Sequence, residues 1–197
     1  MRLIPIAAAV TAALALSACT TTPAPTASTT ARTPAAAPAS VSTTSTARQG
    51  TANLASASGS MVSGKIMLMP MGGGVHMTGT VGGLSPNGVH GFHVHEKGDC
   101  SAADASSAGG HFAPSNHPHG KRDSGPHHAG DMDNITANAE GVASINKHLN
   151  GLTLGGGATN DIDGLAIVVH AKPDDYTSQP AGDAGARLAC GVIKASM

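Results

Sequence analysis

Eleven histidines stand in a chain of 197 residues that holds no Trp, one Tyr and two Phe. Their spacing is what chemistry could use. In Gly91-Phe92-His93-Val94-His95-Glu96 two imidazoles are two residues apart. On a strand such residues share a face. His93 and His95 then project together as half a metal site, while Phe92 and Val94 turn inward; a pair of exposed strand histidines is the plainer alternative. Further on, His111, His117, His119, His127, His128 and Asp131 crowd one segment rich in Gly and Pro. Three or more imidazoles with a carboxylate suit a closed tetrahedral zinc site. Metal binding would also give a strandless loop one shape, because it becomes folding energy; a solvated histidine-rich loop stays open as the alternative. His170 ends the apolar run Leu165-Ala166-Ile167-Val168-Val169, at a strand end from which a scaffold can present a ligand.

Such residues need rigid elements to hold them. Short alternating or apolar runs recur between Gly-rich turns, over 51–57, 62–69, 74–81, 89–95, 132–138, 143–149, 165–170 and 189–194. Eight short strands with turns such as Gly72-Gly73-Gly74 and Pro86-Asn87-Gly88 predict an all-β antiparallel sandwich or flattened barrel. With 26 Gly and only 12% charged residues the chain does not read as a helical bundle. Segments 96–131 and 171–187 have no strand pattern, and each borders a cysteine; loops of this length are usually functional or disordered. A net charge of −1 leaves no basic field for nucleic acid.

The N-terminal residues predict export. Met1-Arg2 supplies a positive start, and the apolar run 4–16 is too short to span a bilayer. It ends in Leu16-Ser17-Ala18-Cys19, similar to the bacterial lipobox, in which the cysteine is lipidated. Residues 1–18 then read as a lipoprotein signal peptide and 19–50, almost only Thr, Ala, Pro and Ser, as a disordered tether. The folded domain spans 51–197. With Cys19 used for lipid, Cys100 and Cys190 remain, and an even pair in an exported protein predicts a disulfide.

Two long motifs carry a family resemblance. Gly91-Phe92-His93-Val94-His95-Glu96-Lys97-Gly98-Asp99-Cys100 resembles the copper-ligand motif of copper/zinc superoxide dismutases, and Gly182-Asp183-Ala184-Gly185-Ala186-Arg187-Leu188-Ala189-Cys190-Gly191-Val192-Ile193 resembles the second motif of that family. Gly110-His111-Phe112, His119-Gly120, His128-Ala129-Gly130-Asp131 and Val168-Val169-His170 fall between them in the family's order. The resemblance implies an eight-stranded Greek-key β-sandwich with two functional loops. It implies copper on His93, His95, His111 and His170, and zinc on His111, His119, His128 and Asp131, with His111 bridging the two ions. Asp174 would link His93 to His119 from behind the ligands, and Arg187 would hold the superoxide anion beside copper. His117 and His127 are then set aside.

The implied enzyme dismutates superoxide in the periplasm or cell envelope, held to a membrane by its N-terminal lipid; a homodimer is compatible with this. Three positions depart from the family pattern: Ala113 replaces a frequent Asn, Ala171 a frequent Glu, and Asp183, where Asn is common, puts a negative charge four residues before Arg187. Lys172 could add positive potential. A metal-sequestering or metal-delivering protein on the same fold is the rival from another class. Met67, Met69 and Met71 read as one strand face or an interface, with Cu(I) capture as the alternative. His76, His90 and His148 read as structural.

Overall fold

The computed structural model describes residues 44–197, so the readings placed on residues 1–43 (signal, Cys19 and most of the tether) lie outside the described residues. Among the described residues nine strands form: β1 (Gln49–Ser56), β2 (Ser63–Met71), β3 (Gly74–Gly82), β4 (Val89–His90), β5 (Phe92–His95), β6 (Ile135–Thr136), β7 (Ala143–Asn150), β8 (Ala166–His170) and β9 (Arg187–Ser196). One 3-10 turn, Ser106–Ala108, lies in the first long loop. Seven strands hydrogen-bond in the order β5-β8-β9-β1-β2-β3-β7, and β4 pairs with β6. The pairings are antiparallel.

Alternation explains the core. On β2, Ile66 and Leu68 are buried while Met69 and Met71 face out; on β3, Val75, Met77 and Val81 are buried. Phe92 and Val94 of β5, Ile167 and Val169 of β8 and Ile193 of β9 join them in one cluster. Full burial of each large apolar side chain contributes roughly 1.5–3 kcal/mol. His93 and His95 lie on the other face of β5 and are buried too, because the long loops cover that face.

The expected single strand over 89–95 is divided at Gly91. There the backbone N–H donates to Lys172 O (2.8 Å) and the carbonyl accepts from His170 N–H (2.9 Å). The chain thus leaves β6 and joins β8, and a Cβ on Gly91 would lie 3.0 Å from Ala184 Cβ. At the other end of the domain, β1 begins two residues before Thr51. Upstream of it, the Ala47 and Arg48 N–H groups donate to Leu154 O and Ser196 O. Backbone pairing of this kind leaves no side-chain pattern to read.

The first long loop is stitched to β5: Phe112 N–H donates to Val94 O, Gly130 N–H to Phe112 O, and Val94 N–H to Gly130 O. A disulfide joins Cys100 to Cys190 of β9, with Cα atoms 5.7 Å apart. Around it pack Ala57, Ala105, Ala108, Ala166 and Val168.

Candidate metal centre

Three strand-borne rings converge first. His93 and His95 leave the same face of β5, and His170 comes from the end of β8, the strand paired to β5. The bridge between His95 and His111 brings the loop ring alongside. One nitrogen from each of His93, His95, His111 and His170 can be chosen so that all lie within 4.8 Å of one another. A second set, His111, His119, His128 and Asp131, meets the same limit. Donors roughly 2.0–2.1 Å from one ion stand no more than about 4.2 Å apart, close to this spacing. His111 is in both sets.

Hydrogen bonds fix which nitrogen each ring offers. Asp174 Oδ2 takes His93 Nε2 at 2.7 Å, and Asp174 Oδ1 takes His119 Nε2 at 2.9 Å. Both rings are left with Nδ1 toward the cluster. His95 Nδ1–H donates to Gly109 O at 3.0 Å, and His170 Nδ1 faces Gly185 O at 3.3 Å. Their Nε2 atoms face each other at 3.3 Å. Asp131 Oδ1 lies 2.7, 3.1 and 3.3 Å from Nδ1 of His111, His119 and His128. Its Oδ2 accepts from the N–H groups of Gly120 and His128. Buried His93 Nδ1 and His111 Nε2 have no hydrogen-bond partner, and His119 Nδ1 and His128 Nδ1 lie near the Asp131 carboxylate without forming a hydrogen bond to it. Leaving a buried polar group unsatisfied costs roughly 1–3 kcal/mol; cations at the two clusters would satisfy all four. The donor chemistry fits the groups the sequence implies: four imidazoles suit copper, and three imidazoles with a carboxylate suit zinc.

Electrostatics differs across the centre. Burial pushes His93 down to about 4, against the pull of Asp174, and His170 down to about 3, with neighbouring His93 adding to the effect. Burial also lowers His95. These rings are neutral and offer lone pairs near pH 7. Burial opposes the charge on His119 as well, but the adjacent carboxylates of Asp131 and Asp174 outweigh that and raise it to about 9. Burial would raise Asp131 and Asp174, yet their histidine partners hold both well below the usual carboxylate range.

A cleft of about 620 Å³ opens onto the first set, lined by His95, His111, His170, Gly185 and Arg187. The Arg187 guanidinium is anchored from one side, donating to Ala105 O (2.7 Å) and Gly109 O (2.6 Å). The latter carbonyl also receives His95, so one peptide orients the arginine and a candidate ligand together. Similarity to known proteins agrees with this layout. The family model for copper/zinc superoxide dismutase (SODC) matches residues 62–193.

The chain belongs to the copper/zinc superoxide dismutase family. It is 41% identical to superoxide dismutase [Cu-Zn] 2 of Aquifex aeolicus over 136 residues, covering 68% of this chain and 80% of the relative. With superoxide dismutase [Cu-Zn] of Caulobacter vibrioides it shares 49% identity over 117 residues, 57% of this chain and 67% of the relative. Among solved structures it is similar to the clock protein EA4, with a TM-score of 0.69 and 35% identity over 77% of this chain and 97% of that one. A double mutant of an SOD-like protein from Bacillus subtilis gives a TM-score of 0.65 and 36% identity, covering 72% and 94%.

Within this family frame, His117 and His127 stay outside both sets and line another cleft with Arg122 and Asn150. Asp175 is exposed. Lys172 pairs with Asp183 at 3.3 Å, both mostly exposed, so each offsets the charge of the other. Sequence reasoning missed several supports. Gln179 brackets His119, its amide donating to His119 O and its carbonyl accepting from His119 N–H. Asn134 exchanges two hydrogen bonds with the Asp174 backbone, and Arg122 donates to Ala129 O and Asp131 O. His90, buried, donates from Nδ1 to His170 O at 2.9 Å. At Gly182 (φ +66°) a Cβ would overlap the Asp174 carboxylate. None is marked by spacing, since each acts on backbone or across a long separation.

Proposed function

We propose that this protein dismutates superoxide to oxygen and hydrogen peroxide, using copper at His93, His95, His111 and His170 and zinc at His111, His119, His128 and Asp131. Copper would supply the electron steps by alternating between Cu(II) and Cu(I), while zinc would order the loop. The chain's own residues do the rest. Arg187, its guanidinium fixed by two carbonyls, keeps donors toward the cleft for a small anion. His111, common to both sets, would be shared by the two ions and would carry a proton on whichever ring nitrogen no ion holds. Asp174 fixes the tautomers of His93 and His119 at once.

The observation that carries this reading is Arg187 lining the same cleft as three candidate copper ligands. A metal-delivering protein on this fold has no use for an anion-holding cation there. The test is the rate of superoxide dismutation by the copper- and zinc-loaded protein and by Arg187→Ala, with metal content measured in both. The expected result is fast, cyanide-sensitive turnover that falls roughly 10–150-fold in the variant at full metal content, as losing a charged hydrogen bond of roughly 1.5–3 kcal/mol implies. Full copper and zinc with negligible turnover in the native protein would leave the metal-delivering reading standing.

The same proposal sets the enzyme in the cell envelope, with residues 1–18 as export signal, Cys19 lipidated and the segment after it as a spacer. The Leu16-Ser17-Ala18-Cys19 pattern supports this, as does the Cys100–Cys190 disulfide, a bond that persists in oxidising compartments. Cells fed labelled fatty acid should label the native chain and not Cys19→Ser; equal labelling of both would refute lipidation at this residue.

A further inference from the structure

Outside the metal centre, one row of metal-binding side chains has no part in the chemistry above. Met69 on β2 is paired directly with His76 on β3, and His76 with His148 on β7. Neighbouring strands lie roughly 4.7–4.9 Å apart, and residues directly opposite each other point to one face. That face is the outer one, since the intervening Leu68, Val75, Met77 and Leu149 are buried. Met69 is 54% exposed, and both histidines are half-buried.

The two rings lie side by side. The centroids of His76 and His148 are 6.0 Å apart. Ring pairs within the cluster of His93, His95, His111 and His170 span 4.0 to 6.4 Å. Among the described residues the two rings contact each other and neither makes a hydrogen bond, which leaves their nitrogens free. Met71, two residues beyond Met69 and 59% exposed, offers a second thioether on the same face. The turn that follows it passes close by: a Cβ on Gly72 would lie 3.9 Å from His148 Cε1.

We infer that Met69, His76 and His148 form a third metal site, on the protein surface, and that its ion is Cu(I). Two imidazoles on paired strands form a fixed half-site. An unbranched methionine with three rotatable bonds can swing its sulfur onto an ion held between them. Thioether sulfur is a soft donor that selects Cu(I), whereas calcium and magnesium require oxygen ligands. The two sites also differ in access. Buried ligands retain an ion for turnover, while half-exposed side chains on an open face exchange it readily. The row therefore suits collection of copper at the surface.

The test starts from protein whose buried sites already hold copper and zinc, freed of excess metal. Cu(I) is then titrated without oxygen against bicinchoninate, and the copper bound per chain is counted. One further equivalent is expected, with sulfur and nitrogen neighbours in its X-ray absorption spectrum, and it should vanish in the double variant His76→Asn, His148→Asn. Met69→Leu should weaken Cu(I) binding by at least the roughly 10–100-fold that loss of a partner behind a ligand costs. These substitutions lie on the outer strand face, and an unchanged visible spectrum of the buried copper verifies that the fold persists. No further equivalent, or one that survives the double variant, overturns the site. Cu(I) affinity unchanged in Met69→Leu overturns the assignment of the ion.

Discussion

The two halves of the metal centre share His111 but are built differently. His93, His95 and His170 stand on β5 and β8, whose paired residues Phe92–Val169 through His95–Ala166 fix them by sheet register. His119, His128 and Asp131 stand in a segment without sheet pairing, placed by single hydrogen bonds: Gln179 to His119, Arg122 to Asp131 O, and Gly120 and His128 N–H to Asp131 Oδ2. Strand geometry holds ligands whether or not a metal is bound. A loop of this kind gains much of its order from cross-links and from the ion itself. The proposed copper half should therefore be the tolerant one and the proposed zinc half the sensitive one.

The largest effect should come from the disulfide, which pins the loop to β9. Cys100 and Cys190 are 90 residues apart, and closing a loop of that length contributes about 4–5 kcal/mol in the chain-entropy model. Replacing both by serine should lower stability by that order in urea unfolding. Local hydrogen exchange should rise mainly over residues 100–131, while β5 and β8 amides keep their protection relative to global unfolding. Equal relative loss in strands and loop would erase the distinction between the halves.

Asp174 tests the same comparison more finely, because it holds one ring from each half. In Asp174→Asn, zinc affinity should fall roughly 10–100-fold, the usual effect of losing the partner behind a ligand. Copper affinity should fall less, since β5 still aims His93 when its Asp174 bond is lost. Competition titrations with chelators of known affinity for each ion measure both numbers. If copper suffers as much as zinc, the sheet contributes less to ligand placement than its register implies.

The tolerant half was also the more legible one. A period of two on a strand is enough to put His93 and His95 on one face, and the apolar run before His170 marks its strand. The loop ligands carry no such period. His119 and His128 could be chosen over His117 and His127 only through the family motifs, and the structure then puts the chosen pair beside Asp131 and the other pair on a separate cleft. Gln179, Asn134 and Arg122 stayed hidden because they bond to backbone 60, 40 and 7 residues away. No local spacing records such contacts. The division at Gly91 was hidden for a related reason: the residue marks a change of strand partner, while the side-chain pattern continues across it.

The smallest expected effect is a pH dependence that sets His119 apart from the other rings of the metal-free protein, since burial lowers loop-held His128 as it lowers His93, His95 and His170. His93 and His170 ordinarily titrate near 6.5, but folding lowers them to about 4 and about 3. Below pH 6.5 the unfolded chain takes up these protons and the folded protein does not. Their contribution is therefore present above 6.5 and lost as pH falls toward 4. His119 has the opposite sign: raised to about 9, it favours the folded state below 6.5 and loses that contribution as pH rises through 9. Asp131 and Asp174, both held far below their ordinary range, stay ionised throughout this window. Urea midpoints of the metal-free protein should thus be highest near pH 6.5 and fall on both sides. In His119→Asn the alkaline fall should flatten while the acid fall remains. If His119→Asn flattened both arms, His119 and the burial-lowered rings would titrate as one unit, and the opposite signs assigned to them would fall.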